Sequence, residues 1–362
     1  MLPDRMHAVL LTSHGDLGAL EYRSDISVPV PGRGEVLVRV TAAALNNTDV
    51  NLRIGWYSRT GASAASDAEA GTAGSVGSVE DGSWSGSPVA FPLIQGTDAC
   101  GQIVAVGPGV AMSRVGERVL IDPVLRADAG NPTSTVRYLG SDCNGAFAEF
   151  VAIPAANAFP VRAQTLSDAE LASFPCAYMT AENLLTRAQI SAADTLLVTG
   201  ASGGVGSAAV QLARRRGARV LAIASAGKEP ALKSLGAHEV AGRGEDLVER
   251  FGVESVDAVI DVVGGATFGA ALQLLKRGGR YAVAGAISGA QVGLDLRTLY
   301  LKDLTLHGCT VPQPQLFERL VGYIERGEIR PVVAKIFRLR ELAAAQQAFL
   351  DKAYVGKIVV LP

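Results

Sequence analysis

The segment 195–206, Thr-Leu-Leu-Val-Thr-Gly-Ala-Ser-Gly-Gly-Val-Gly, constrains the fold more than any other stretch of this chain. A short aliphatic run enters a glycine turn, and the turn opens a run rich in Ala, Val and Leu. Strand, tight turn and helix begin a βαβ unit, where backbone N–H groups at the helix start can hold a pyrophosphate. In this reading Gly203 lets the backbone approach the phosphates and Gly206 lets the helix pack on the strand. Ala201, Ser202, Gly204 and Val205 complete the candidate loop. An ordinary tight βα turn has the same glycines, so the reading rests on the strand before them and the helix after. The uncharged run 195–213 is broken by these glycines and does not read as a membrane span.

Around this segment, strands and helices alternate. The pattern predicts strands at 195–199, 219–224, 256–262 and 280–284, with helices at 204–216, 230–235 and 266–275. Such alternation argues for an α/β fold with a parallel sheet. Helices at 315–326 and 341–352 and a strand at 357–361 follow. Before residue 165 the texture is different. Short strand-like runs at 35–40, 101–107, 118–121 and 147–153 are separated by Gly/Pro turns, which suggests a β-rich domain. Ser167 with Glu170 three residues on reads as a helix start. Ser, Gly and Ala dominate positions 58–90, so this stretch is expected to be a mobile insertion, with Trp84 its only large aromatic residue. The expected domains are 1–165, 166–310, and a C-terminal segment 311–362 that completes the first.

A chain of 362 residues holds roughly two domains at about 150 residues each. With 33 Lys and Arg against 35 Asp and Glu, no basic excess marks a nucleic-acid partner or an anionic membrane. The 4 cysteines form no C-x-x-C pair and read as reduced thiols. Residues 1–10 lack the apolar core of a signal peptide, so the expected location is cytoplasmic.

The end of the second strand discriminates between coenzymes. An NAD site places Asp or Glu there for the ribose 2′-hydroxyl. Here the sequence runs Ile223-Ala224-Ser225-Ala226-Gly227-Lys228, with no acid and a lysine. This favours a 2′-phosphate, hence NADPH, with Ser225 and Lys228 as candidates and Arg243 after the next strand-like run; Lys228 also reads as a solvated surface lysine. Gly200-Ala201-Ser202-Gly203-Gly204 additionally fits G-x-S-x-G, the nucleophile elbow of serine hydrolases. That alternative makes Ser202 a nucleophile and needs a histidine, for which His238 and His307 are available.

Taken together, these motifs make the chain similar to the medium-chain dehydrogenase/reductase family, in its zinc-free quinone reductase branch. The similarity covers all but 58–90. It runs through Gly34-Glu35-Val36-Leu37-Val38, through Ala44-Leu45-Asn46-Asn47-Thr48-Asp49, and through Gly96-Thr97-Asp98 on to Gly107. It continues through the loop Ala201 to Gly206, Val262-Val263-Gly264-Gly265 and Gly356-Lys357-Ile358-Val359. The resemblance implies a GroES-like β-rich catalytic domain beside a doubly wound Rossmann sheet, and a homodimer. Zinc-dependent members carry Cys where Asn46 stands and His where Thr97 stands, so of the ligand positions only Cys176 keeps a metal-binding side chain. No metal site is therefore expected, and the zinc-dependent alcohol dehydrogenase is an alternative. Hydride transfer to a quinone, enone or enal is the implied reaction, and a non-enzymatic NADPH-binding protein is a further alternative. The resemblance makes Asn46 a donor to the substrate oxygen and places Thr180 and Gly285 near the nicotinamide. Tyr57 or Tyr178 can donate the proton or simply pack, and Asp49 with Arg53 can form a structural ion pair.

Overall fold

The computed structural model describes residues 2–57, 82–85, 87–128 and 135–362. These divide into two compact units, Met1–Cys176 with Pro331–Ala353 and Lys357–Pro362, and Ala177–Arg330 with Tyr354–Gly356.

The first unit begins with β1 (Arg5–Leu11), β2 (Leu20–Ser27), β3 (Glu35–Ala44) and the short helix α1 (Asn47–Arg53). It continues through β4 (Leu93–Ile94), β5 (Asp98–Val106), β6 (Arg118–Ile121), β7 (Val124–Arg126), β8 (Val136–Tyr138), β9 (Phe150–Pro154) and β10 (Ala158–Pro160) to α2 (Asp168–Ala172). Its main sheet runs β10-β6-β5-β3-β18-β17, with β9 also on β3; β17 (Val333–Arg338) and β18 (Lys357–Leu361) come from the end of the chain. β3 is buried on both faces over most of its length, which is why it reads as a near-continuous apolar run and not an alternating one. Leu37, Ile103, Leu120, Ile121 and Phe147 are among the residues that fill this core.

Ser167 caps α2 in a reciprocal box with Glu170, as the sequence suggested. That helix packs on β3 and β5, so residues 166–176 belong with the first unit and the division falls at 176/177. Most of the stretch expected to be a mobile insertion, 58–81 and 86, lies outside the described residues. Its described end is fixed. The Trp84 indole stacks on Tyr138 at 4.0 Å, the Trp84 backbone N–H donates to Ser141 Oγ at 2.8 Å, and Ser83 and Ser85 donate to Asp142.

The second unit holds most of α3 (Pro175–Arg187), then β11 (Thr195–Val198), α4 (Gly204–Arg215), β12 (Arg219–Ala224), α5 (Glu229–Leu235), β13 (Glu239–Gly242) and α6 (Leu247–Phe251). There follow β14 (Val256–Asp261), α7 (Thr267–Leu274), β15 (Leu275–Val283), α8 (Leu296–Leu301), β16 (Thr305–Gly308) and α9 (Leu316–Glu325). The last helix, α10 (Leu342–Leu350), returns to the first unit. The second unit's six described strands are all parallel in the order β13-β12-β11-β14-β15-β16, a doubly wound Rossmann sheet. The chain reverses direction across the sheet between β11 and β14, and ligands of such sheets bind at the strand C-termini beside that point. Among the described residues no helix is long and apolar enough to cross a membrane.

Candidate active site

In the first unit, strand order brings three distant residues together. β3 lies between β5 and β18 and runs antiparallel to both, with Ala44 opposite Asp98 and opposite Val359. The end of β3 therefore meets the starts of both neighbours. Asn46 follows β3, Asp98 opens β5 and Lys357 opens β18. The Lys357 ammonium donates to Asn46 Oδ1 at 2.5 Å and to Asp98 Oδ2 at 2.8 Å. Asn46 Nδ2 donates to Asp98 Oδ2 at 2.9 Å and to the Ala44 carbonyl at 3.3 Å. The Cys176 N–H donates to Asp98 Oδ1 at 2.6 Å. Asp98 is wholly buried and Lys357 is 4% exposed, so each charge depends on the other for its stability.

This geometry corrects the expectation for Asn46. An ammonium only donates, so the amide oxygen must face Lys357 and the NH₂ must face Asp98 and Ala44. Both amide N–H groups are engaged inside the protein, and Asn46 has none to offer a substrate oxygen. The expected Asp49–Arg53 pair is also absent. Asp49 accepts the Asn46 N–H at 2.7 Å, while Arg53 donates to Gln346 Oε1 and to the Gly15 carbonyl, each at 2.8 Å. Burial pushes the Asp49 carboxyl up to about 7 and the negative charge of Asp98 acts the same way, against the backbone N–H groups of Asn46 and Gly96 and the Lys357 charge.

Tyr57 is half-buried, in the turn after α1 and against the Leu11–Leu52–Leu93 cluster. Burial pushes its hydroxyl up to about 12, and the charges of Cys176 and Asp49 act in the same direction. Its recorded hydrogen bond, from Asn51 Nδ2, is long at 3.4 Å. Tyr178 differs. Its buried hydroxyl donates to the Arg330 carbonyl at 3.1 Å and accepts from Gln211 Nε2 at 2.8 Å. Its proton is held by a backbone acceptor, which removes Tyr178 as a proton donor and leaves it a packing role.

Zn²⁺ in a protein needs thiolate, imidazole or carboxylate donors. Here Asn46 Oδ1 and Asp98 Oδ2 already accept from an ammonium, Asp98 Oδ1 accepts from Cys176 N–H, and Thr97 brings a hydroxyl. Among the described residues, no group of three or more His, Cys, Asp or Glu could hold a metal ion. These residues do not fit zinc.

In the second unit, the glycine loop connects β11 to α4. Gly200 has φ +56°, and a Cβ there would lie 2.9 Å from a Val263 methyl. A Cβ at Gly206 would lie 2.2 Å from the Gly200 carbonyl, so α4 can approach β11 only with glycine at this position. Gly203 is different. It is exposed, has φ −76°, and its Cβ would meet nothing closer than 3.5 Å. Neither backbone nor packing requires glycine there, which leaves room above the loop for a ligand. Ala201 is buried and donates its N–H to the Ile223 carbonyl at 3.0 Å; Gly204 and Val205 are half-buried at the start of α4.

Just before α5, Lys228 Nζ donates to Ser202 Oγ at 3.3 Å. Burial, and then the charge of Arg243, holds the Lys228 ammonium below its ordinary range. The structure thus brings Ser202, Lys228 and Arg243 near one another, with Ser225 half-buried at the strand end. Thr180 is half-buried on α3, and Gly285 lacks room for a Cβ because the Val262 carbonyl is 2.9 Å away. Neither candidate histidine serves Ser202. His238 Nδ1 accepts the Val220 N–H at 3.0 Å, and His307 lies on β16, with β14 and β15 between it and β11. The hydrolase alternative lacks its base.

Lys357 lies within the Gly356–Val359 motif, yet its neighbours in sequence do not reveal its role. A lysine opening a strand of otherwise apolar residues was the available signal.

Family models match two parts of the chain, an "Alcohol dehydrogenase GroES-like domain" at residues 32–163 and a "Zinc-binding dehydrogenase" at 204–326. A Sinorhizobium meliloti 1021 protein, provisionally described as an alcohol dehydrogenase, is 47% identical over 100% of this chain and 98% of its own, with a TM-score of 0.88. Rattus norvegicus quinone oxidoreductase is 28% identical, with 98% of each chain covered. Metallosphaera sedula acryloyl-coenzyme A reductase is 29% identical over 98% of this chain and 99% of its own. With this fold, these motifs and these relatives, the chain belongs to the medium-chain dehydrogenase/reductase superfamily of oxidoreductases, in its quinone-reductase-like branch.

Proposed function

We propose that this protein is an NADPH-dependent reductase of quinones or α,β-unsaturated carbonyl compounds that works without a metal. The observation that carries the reading is the buried Asn46–Asp98–Lys357 triad, which fixes an ammonium among groups that zinc chemistry would need free. Without a Lewis acid to stabilise an alkoxide, a conjugated acceptor is the more tractable hydride acceptor. Relatives named for quinone and acryloyl substrates support the same class.

Bound NADPH would supply the hydride. The loop 200–206 would hold its diphosphate, and Lys228, Arg243 and the Ser202 and Ser225 hydroxyls its 2′-phosphate. When hydride adds to the conjugated system, negative charge develops on the acceptor oxygen. Tyr57 keeps its proton at neutral pH because burial disfavours the phenolate. It would hydrogen-bond that oxygen and then protonate the product. Asp49, whose charge acts on Tyr57 and whose carboxyl is pushed up to about 7, is the neighbouring group suited to return the proton. Asn46, held by Lys357, caps the start of α1, the helix that carries Asp49.

This reading extends to a cytoplasmic homodimer. Cys100, Cys143, Cys176 and Cys309 form no disulfide, which suits a reducing compartment. Edge strand β16 with exposed Leu306, beside exposed Leu296, Tyr300 and Leu301, is a surface suited to pairing with a second copy.

The test is coenzyme oxidation by chelator-treated protein, with NADPH or NADH and a panel of 1,4-quinones and enones. Turnover with NADPH under chelation is expected. No turnover until zinc is added would overturn the metal-free reading in favour of the alcohol dehydrogenase. Tight NADPH binding without turnover on any acceptor would favour the non-enzymatic alternative.

A further inference from the structure

A buried polar cluster bridges the ends of β11 and β14, the two strands that flank the reversal point of the parallel sheet. Thr199 and Asp261 are each 1% exposed and Tyr281 is 3% exposed. Asp261 Oδ1 accepts from Thr199 Oγ1 at 2.5 Å, from the Val263 N–H at 2.7 Å and from the Gly264 N–H at 3.1 Å. Its Oδ2 accepts from the Tyr281 hydroxyl and from Gly264 N–H at 3.2 Å. Thr199 Oγ1 in turn accepts the Val262 N–H at 3.1 Å. Among the described residues, the recorded partners of this carboxylate are hydroxyls and backbone N–H groups, not a basic side chain. A buried carboxylate that relies on neutral donors needs all of them in place.

Three successive N–H groups, those of Val262, Val263 and Gly264, are thereby captured by one Thr–Asp pair. The turn they form lies against the nucleotide loop at Gly200. Methyls of Val263 and Val262 lie 2.9 and 3.2 Å from where a Gly200 Cβ would be. The carboxylate thus fixes the surface against which Gly200 turns, and Gly200 leads into the 201–206 backbone.

We propose that Asp261, held by Thr199 and Tyr281, is a positioning residue for coenzyme binding: it sets Val262 and Val263 behind Gly200 and so fixes the height of the loop that receives the diphosphate. The inference rests on the reading that this loop binds NAD(P)H. It differs from the role given to Lys228 and Arg243, because a diphosphate is common to both coenzymes.

Equilibrium binding of NADPH and NADH, followed by fluorescence without any acceptor, tests it. The proteins are wild type, Thr199→Val, Thr199→Ser and Tyr281→Phe, each with a thermal melt. Thr199→Val and Tyr281→Phe should each weaken both coenzymes by roughly tenfold or more. Thr199→Ser keeps the hydroxyl and should bind like wild type. Wild-type binding with unchanged affinity in both Thr199→Val and Tyr281→Phe overturns the inference alone. So does weakening of NADPH only, or a Thr199→Ser loss equal to that of Thr199→Val. If the wild type binds neither coenzyme, the reading of the loop falls first and this inference with it.

Discussion

The Lys357 ammonium lies 2.5 Å from the amide oxygen of Asn46, and the two residues are 311 positions apart in the chain. The contact fixes which way the amide points, closes both of its N–H groups to any ligand, and leaves Asp98 with a cation in the core. Removing one partner of such a buried pair typically costs about 3–5 kcal/mol. Lys357→Met should therefore destabilise the protein by about that amount in denaturant melts, and Asp98→Asn by a similar amount. The double variant Asp98→Asn/Lys357→Met should recover much of the loss. Strict additivity of the two single losses would show that the pair is not coupled.

Asp49 gives a pH signature. Its carboxyl is raised from 3.8 to about 7 on folding, so the folded chain binds a proton more tightly than the unfolded one. Its contribution is fully present below about pH 4 and is lost as pH rises towards 7, with a slope of up to about 1.4 kcal/mol per pH unit. Asp49→Asn keeps an acceptor for the Asn46 N–H but cannot ionise. Stability measured across this window should fall less steeply for Asp49→Asn than for wild type, and parallel curves would refute the assignment.

The 2′-phosphate reading predicts a split between coenzymes. Lys228→Ala or Arg243→Ala should raise the KM for NADPH roughly tenfold or more, the scale of one charge-assisted hydrogen bond. The KM for NADH should change little. Equal effects on both would mean that the phosphate is held elsewhere.

Two glycines of one loop should answer differently to the same substitution. Gly206→Ala drives a methyl into the Gly200 carbonyl and should lower the melting temperature. Gly203→Ala has room in the free protein and should melt like wild type, yet bind coenzyme more weakly. Unchanged coenzyme affinity in Gly203→Ala would argue against a ligand above that position.

Tyr57→Phe removes a hydroxyl whose recorded protein contact is a long one. Stability should hardly move, while kcat should fall by about 10²–10⁴, the usual range for a general acid. A kcat within twofold of wild type would pass the proton to solvent.

What could be read from the sequence was what is locally determined. β12 and β18 fall on their expected residues, 219–224 and 357–361, and α4 ends one residue short. Each is marked by a glycine turn, a cap or a strongly apolar run. β15 begins at Leu275, five residues before the expected start, because Lys276-Arg277-Gly278-Gly279 has the composition of a turn. β17 was not expected at all. It is only partly buried and lacks clean alternation, so its strand character comes from pairing with β18. The site was legible as a set of motifs but not as chemistry. Asn46 reads as a donor until Lys357 is placed beside it, and nothing within a few residues of either reveals the other.

The same separation bears on the order in which the molecule can be made. Asp98 and its cation are 259 positions apart, so during synthesis β3 and β5 exist long before Lys357 emerges. Until β18 docks, a chain that has paired those strands must bear a bare carboxylate in its interior, keep it protonated, or leave that end of the sheet open to water. During synthesis the β-rich unit therefore cannot reach its final packing before the strands of the Rossmann unit have been translated. The residue that closes its core is translated after that unit's entire parallel sheet.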